Sequence, residues 1–377
     1  MRTAIVTGEY HIGGETFINR HIQHLFGGDT VVVCGRFHGS NPYDKAWFAR
    51  REKPTTADLL TAPYWMMRNR ILHNTSRLPF GRAKRDLTTF LRDQKVELIL
   101  AEFGTQALAM APLANELNLP IFTYFRGTDA SKAIQTERMR EAYRRMMPRL
   151  AGVFSVSQFL LDNLARHDIR HPNSVVIPSG VDVRRFVPGQ KQPLSCLAVG
   201  RFVEKKAPLT TLRSFAEATR DLPHARLDFI GDGPLLAPAQ ALAEELGAKE
   251  RVIFHGSQPH DFVRGKLATA QFFLQHSITA ANGNTEGLPT AIQEAMACGC
   301  ITVSTRHAGI PEAIDEGKTG WLVEEHDADG FTTAIGRAMQ ATDTGGMASL
   351  ARRIAEERFD NDVLLKKLET HIRATLA

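Results

Sequence analysis

The amino-acid sequence predicts an α/β protein built from two doubly wound, Rossmann-like domains. Three observations carry that expectation. Short β-branched runs alternate with longer segments of helical period along the whole chain, the pattern of parallel sheets covered by helices. The runs are apolar at consecutive positions, as strands buried on both faces are. The 377 residues contain two such sets, and at roughly 100–200 residues per domain the length allows two separate cores.

In the first set the candidate strands are 2–8 (RTAIVTG), 30–35 (TVVVCG), 96–102 (VELILAE), 120–125 (PIFTYF), 152–157 (GVFSVS) and 174–180 (SVVIPSG). In the second they are 195–200 (SCLAVG), 226–233 (RLDFIGDG), 251–256 (RVIFHG), 272–277 (FFLQHS) and 300–305 (CITVST). Between the sets lies PSGVDVRRFVPGQKQP, residues 178–193, dense in Pro and Gly and short of helical period. This hinge divides an N-terminal domain, 1–185, from a C-terminal domain, 186–350. The strand-helix units of the second set end near Gln340, and a spacer at Asp343–Gly346 leads into a helical tail. Residues 351–377 of that tail are expected to pack back on the first domain. The two domains are expected to face each other across a cleft, with ligands beyond the carboxyl ends of the strands.

Composition narrows the functional class. With 43% hydrophobic and 23% charged residues the chain is an ordinary globular protein. Its four cysteines, Cys34, Cys196, Cys298 and Cys300, are too few and too scattered for an extracellular disulfide framework. No basic, apolar leader opens the sequence, and no run reaches the ~18 apolar residues of a membrane span. A cytoplasmic protein is expected, with any membrane contact peripheral and at the inner face.

The formal charge of +5 hides an asymmetry. Residues 1–190 carry 26 Lys and Arg against 17 Asp and Glu, a charge of +9, whereas residues 191–377 carry 20 against 24, or −4. The excess lies in YWMMRNR (64–70) with Arg77, Arg82, Lys84, Arg85 and Arg92, and in ERMREAYRRMMPR (137–149). Alone, both stretches read as amphipathic helices with solvated faces; the sharper reading is a surface for anionic lipid or a lipid-linked substrate. Zinc spacing, an RNA-recognition signature and basic-aromatic alternation are all missing from the sequence, which argues against nucleic acid.

The strongest local signal is NGNTEGLPTAIQEAMACGCITVST, residues 282–305. Gly287-Leu288-Pro289 forms a tight turn into a helix, with Pro289 suited to the first helical position. The free N–H groups of that turn, with the helix dipole and the Thr290 hydroxyl, make an anion site fit for a diphosphate. Glu286 precedes the turn and Glu294 lies inside the helix. Eight helical residues would separate them by roughly 12 Å, too far for the paired carboxylates of a glycosidase. One carboxylate near a sugar and one near a ribose suits the spacing. In AVGRFVEKKAP (198–208), a buried strand delivers Arg201 and Lys206, cations that would neutralise charge on a leaving diphosphate. Lys205-Lys206 alone reads as a solvated loop pair. DFIGDGP (228–234) is a weaker Gly-rich turn without dinucleotide spacing.

In order, IPSGVD with Phe186, VGRFVEKKAP, IGDGPL, VIFHG, the E-x7-E pattern EGLPTAIQE, EAMACG and GIPEAI resemble glycosyltransferase family 4 across nearly the whole chain. The resemblance implies the GT-B architecture and a retaining transferase that takes its sugar from a nucleoside diphosphate, usually without a metal. It implies no cofactor apart from the donor, which is a substrate. By it, Arg201 and Lys206 hold the donor diphosphate, Glu294 the ribose hydroxyls, and Glu286 the transferred sugar, with the Gly287, Leu288, Pro289 and Thr290 backbone on sugar hydroxyls and phosphate. Gly13 and Gly14 resemble the family's glycine loop near the donor phosphate, and GGETFI resembles transferases of bacterial extracellular polysaccharide assembly. YFRGTDAS (124–131) resembles a stretch that commonly reads His-Gly before an Asp, but Arg126 stands at the His place. Arg126 is expected to contact a phosphate or carboxylate of donor or acceptor, and Asp129 either a sugar hydroxyl or the start of the next helix.

The acceptor side is expected to take a glycan or lipid-linked acceptor, and a UDP-sugar is the favoured donor on family frequency. Two other readings compete: a nucleotide-sugar epimerase of the same architecture, and a catalytically silent nucleotide-sugar-binding partner. Cys298 and Cys300 read as small core side chains, His255, His260 and His276 as structural, and Asp327-Ala328-Asp329 as a helix start; no metal site is expected.

Overall fold

The computed structural model describes residues 1–50, 55–76 and 78–377; Arg77, counted above in the basic stretch, lies outside the described residues. Contacts divide the chain into two units, Met1–Ile177 with Leu365–Ala377, and Pro178–Leu364.

In the first unit the consecutive apolar runs become seven parallel strands: β1 (Thr3–Glu9), β2 (Thr30–Arg36), β3 (Trp47–Ala49), β4 (Leu98–Glu102), β5 (Ile121–Phe125), β6 (Gly152–Ser155) and β7 (Ser174–Val176). Their order is β3-β2-β1-β4-β5-β6-β7. Ile5 of β1 lies between Val32 and Leu100, and all three are fully buried. The order in which strands are added reverses between β1 and β4, which opens a crevice at the strand ends. The segments after β1, β4 and β5 carry Gly13–Glu15, Phe103–Gly104 and Arg126–Asp129 there.

The second unit repeats the plan with six parallel strands: β8 (Gln192–Val199), β9 (Arg226–Ile230), β10 (Val252–Phe254), β11 (Ala270–Gln275), β12 (Ile301–Thr305) and β13 (Gly320–Val323). The order β10-β9-β8-β11-β12-β13 puts its switch point between β8 and β11. Gly200–Lys206, His276–Pro289 and Arg306–Gly309 follow β8, β11 and β12 at that edge.

Several details differ from expectation. The short strands β3 and β13 were not anticipated, because three or four partly exposed residues leave no long apolar run. The first unit ends at Ile177 rather than at residue 185. The tail is divided: Thr344–Arg358 lies in the second unit, and only Leu365–Ala377 belongs to the first. A break at Phe359-Asp360 separates the last two helices, where the Val181 N–H donates to the Phe359 carbonyl at 2.8 Å and the Asn361 N–H to that of Val181 at 3.0 Å. Asp327 accepts from the Gly330 N–H at 2.8 Å and starts the helix Ala328–Gln340, as its position suggested. All four cysteines are buried and free, and no helix among the described residues is long and apolar enough to cross a membrane.

One glycine is required by packing. Gly104 opens the helix Gly104–Glu116, and a Cβ there would lie 2.3 Å from the Phe125 ring, which is fully buried in β5. Gly104→Ala is therefore expected to lower stability by about 1–3 kcal/mol, read by urea unfolding. Unchanged stability would show that the ring has room to move.

Candidate active site

The strongest electrostatic feature of the second unit lies beyond β8 and β11. A single helical turn, Glu204–Lys206, delivers two lysines to one carboxylate. Lys205 Nζ is 3.3 Å from one Glu286 oxygen and Lys206 Nζ 3.2 Å from the other. Burial opposes the charge on Glu286, but Lys206 and then Lys205 overcome it and hold the carboxyl at about 2. Lys206 Nζ also donates to Gln275 Oε1 at 3.3 Å, and Lys205 Nζ to the Thr285 carbonyl at 3.2 Å. The lysine pair is thus not a solvated loop feature: Lys205 is buried, and burial shifts its ammonium downward against the pull of Glu286. Arg201 lines the same recess as Lys206 and Gln275 but is exposed and makes no ion pair among the described residues.

The Glu286 loop has no regular structure, so its buried backbone groups need other partners. His307 supplies one: its Nε2 accepts the Glu286 N–H at 3.0 Å, while its Nδ1 faces Glu325 Oε1 at 2.6 Å. An accepting Nε2 requires the ring proton on Nδ1, directed at the carboxylate. Glu325 also accepts the Thr279 N–H at 2.6 Å. Burial acts against its charge, and the bonds to His307 and Thr279 bring its carboxyl to about 2. A second strut runs from the Gly309 N–H to the Gly287 carbonyl at 2.8 Å.

The helix expected after Gly287-Leu288-Pro289 spans Thr290–Ala297. Pro289 is its N-cap and not, as expected, its first helical residue. The cap makes no side-chain bond, and the Thr290 and Ala291 N–H groups have no carbonyl to bond within the helix. Gln293, which sequence reasoning passed over, is fully buried and accepts the Gly180 N–H at 2.9 Å. Glu294 is buried on the same helix, and burial raises its carboxyl to about 7. No ion pair or hydrogen bond reaches that carboxylate among the described residues.

In the first unit, Gly13 and Gly14 are exposed, and a Cβ on either would meet nothing within 4 Å. The chain's own packing gives no reason for glycine there; close approach of a ligand would. Arg126 turns inward. Its Nε and a terminal nitrogen meet Glu102 Oε2 at 2.8 and 2.7 Å, and the guanidinium lies 4.0 Å from the Phe17 ring centroid and 3.9 Å from that of Tyr124. The other Glu102 oxygen is 2.6 Å from His21 Nδ1. Burial resists ionisation of Glu102, yet Arg126 and His21 lower its carboxyl to about 2. The side chain of Arg126 is 4% exposed, so the contact expected with a substrate is occupied by the protein's own carboxylate. Asp129 accepts the N–H groups of Arg126, Gly127 and Gly104 at 3.0, 3.1 and 2.8 Å. It braces the first turn of Gly104–Glu116 instead of starting the helix that follows it.

Two Rossmann-like units with cations, a buried carboxylate and a helix N-terminus at a switch point define an enzyme of the GT-B glycosyltransferase class. Comparison with known proteins identifies the family. The profile of Glycosyltransferase Family 4 matches residues 13–185, and that of Glycosyl transferases group 1 matches residues 183–357. WcaL of Escherichia coli, which carries the name of a colanic acid biosynthesis glycosyltransferase, is 30% identical over 294 residues, covering 74% of this chain and 71% of that protein. The amylovoran biosynthesis glycosyltransferase AmsK of Erwinia amylovora is 29% identical, covering 72% and 69%. The crystal structure of Anabaena Alr3699/HepE in complex with UDP superposes with a TM-score of 0.79 at 15% identity, covering 99% of this chain and all of that one. The chain belongs to glycosyltransferase family 4.

His307→Ala removes the acceptor for a buried N–H and should cost about 1–3 kcal/mol of stability. Transfer should fall along with it, because the Glu286 loop loosens, and His307→Gln, whose amide oxygen can accept the same N–H, should restore part of both. Wild-type unfolding and turnover in His307→Ala would remove the strut from the account.

Proposed function

We propose that the chain moves a sugar from a UDP-sugar to a glycan or lipid-linked acceptor, with retention at the anomeric carbon and without a metal, in the synthesis of a bacterial surface polysaccharide. The carrying observation is Glu286 clamped by Lys205 and Lys206 beside the open first turn of Thr290–Ala297. A diphosphate arriving there competes for Lys206, gains Arg201, and meets free N–H groups at the helix start. These are the charges that a metal would otherwise supply. Glu286 then faces the transferred sugar, and Glu294 the ribose hydroxyls. Cations fixed where charge develops on the leaving diphosphate accelerate the step itself. The leaving phosphate would take the acceptor proton.

Support for the pathway comes from relatives named for colanic acid and amylovoran biosynthesis. Support for UDP comes from the HepE complexes with UDP and UDP-glucose. Neither the epimerase nor the silent-partner reading gains from these comparisons. We place the enzyme in the cytoplasm, in peripheral contact with an anionic membrane. Residues 1–190 carry +9, and the helix Thr56–His73 turns Leu60, Tyr64, Met67 and Ile71 outward at 83, 64, 66 and 61% exposure. At spacings of four, three and four residues they form one stripe along the helix.

Lys206→Ala should reduce transfer by two orders of magnitude or more, roughly the loss seen when one preorganised charge-stabilising donor is removed. Assay of UDP-, GDP- and dTDP-sugars with a lipid-linked acceptor checks this, and unchanged turnover would sink the donor-site reading. Donor affinity should also depend on pH. Ribose hydroxyls donate to ionised Glu294, which is protonated in the free enzyme below about 7. Affinity for a UDP-sugar, whose diphosphate does not titrate there, should rise as pH climbs through that value and then level. Glu294→Gln should flatten the curve; an unaltered pH profile would separate Glu294 from the ribose.

A further inference from the structure

The inward side of the helix Thr56–His73 lines a separate feature that the transfer chemistry leaves unused. Between it and the helix Gly81–Asp93 runs a groove of about 540 Å³, within the range of small-molecule sites. Arg68, Lys84, Arg85 and Arg92 line it, against the single acid Glu116. Lys84 is paired with Glu116 at 2.5 Å, whereas Arg68, Arg85 and Arg92 make no ion pair among the described residues. The imidazole of His73, also in the groove, is shifted downward by burial and by Arg149 and Arg68. Trp65, Leu78 and Phe80 give the same groove an apolar wall.

We propose that this groove is a binding site for the phosphate of an anionic lipid, seated while the stripe on the opposite face of the same helix enters the acyl boundary. The inference rests on the membrane reading above and names its lipid contact. Three features favour this occupant. Unpaired guanidinium groups match phosphate oxygens with charge-assisted, bidentate hydrogen bonds. The apolar wall suits the glycerol and first methylenes of a lipid, which free phosphate lacks. The groove and the stripe share one helix, so a phosphate in the groove lies within one helix diameter, about 10–12 Å, of the chains into which Leu60 and Met67 would dip. A second copy of the chain fits poorly, because pairing stripe to stripe would leave the groove's cations, on the opposite face of the helix, without an anionic partner.

Two measurements on the full chain test the proposal. In the first, vesicles of phosphatidylcholine with and without phosphatidic acid are sedimented with wild type, Arg85→Ala/Arg92→Ala and Leu60→Ser/Met67→Ser. Wild type should bind only the phosphatidic acid vesicles, and each double variant should bind them at least about tenfold more weakly, the loss expected for one or more charge-assisted bonds or for buried apolar area. In the second, soluble dihexanoyl phosphatidic acid is titrated while tryptophan fluorescence is followed. Saturable change should vanish in Trp65→Phe, weaken about tenfold in the arginine variant by the same conversion, and persist in the stripe variant. Equal response to inorganic phosphate at the same concentrations would make this a general anion site and overturn the lipid assignment. Vesicle binding undiminished by the arginine substitutions would overturn the groove while leaving the membrane reading standing. Binding of the short-chain lipid in the groove without any vesicle binding would support the site and end the membrane reading. Self-association through the stripe, seen as concentration-dependent mass that Leu60→Ser/Met67→Ser abolishes, would overturn the proposed occupant.

Discussion

A carboxylate removed from water must be paired, and Glu286 between Lys205 and Lys206 is the pairing on which the functional edge of the second unit depends. The attraction works in both directions. It keeps Glu286 ionised where burial alone would neutralise it, and it holds two long, flexible side chains at the end of β8. The backbone then follows: Lys205 bonds the Thr285 carbonyl, His307 the Glu286 N–H, and Gly309 the Gly287 carbonyl. A loop without secondary structure is thereby fixed at three consecutive residues, the preorganisation that the sugar contact proposed for Glu286 would use. The two glutamates of the E-x7-E pattern separate in character for the same reason. Glu286 has cations beside it and stays charged, whereas Glu294 has none and burial alone raises its carboxyl to about 7.

The first unit solves a similar problem differently. Glu102, at the end of β4, is wholly buried between Arg126 and His21, and Arg126 is packed against two rings. An arginine with its fork turned onto a carboxylate and its faces against aromatics has little freedom left. It replaces the imidazole of the family pattern with a structural cation that fixes the chain between β5 and Asp129. Asp129 completes the arrangement by gathering N–H groups from the segments after β4 and β5. The residue most conspicuous as a departure in the sequence therefore acts by shaping the crevice.

How far the sequence could be read depended on the distance between partners. Strands such as TVVVCG and IFTYF were legible because burial on both faces leaves a local signature, and β3 and β13 were not because three or four half-exposed residues leave none. The turn at Glu286–Pro289, the helix after it and the cations following β8 were legible as local spacings. Lys205, His307 and Glu325 were not: their importance arises from partners at positions 286 and 279, on different elements, and nothing in KK, RHAG or VEEH announces it. Arg126 shows the same limit in reverse. A cation at a strand end suggests a ligand, and only the position of Glu102, 24 residues earlier in the chain, turns it inward.

The helix Thr56–His73 takes this limit furthest, because a periodic sequence shows that a helix has two faces without showing which one meets the protein. Here the inner face includes buried Asp58 and Asn69, and the outer one carries Leu60, Tyr64, Met67 and Ile71. The inversion is possible because the helix is attached largely by hydrogen bonds. Thr55 and Asp58 form a reciprocal capping box, Asp58 also accepts the Arg82 N–H at 3.1 Å, and Arg145 bonds the Ile71 carbonyl at 2.8 Å. Such contacts satisfy polar groups but leave the apolar stripe in water, where each exposed side chain forgoes roughly 1.5–3 kcal/mol of burial. A patch of that kind on a soluble surface marks an interaction site. With cations in the groove on the opposite side of the helix, the anionic membrane proposed above would relieve that cost with the least electrostatic penalty.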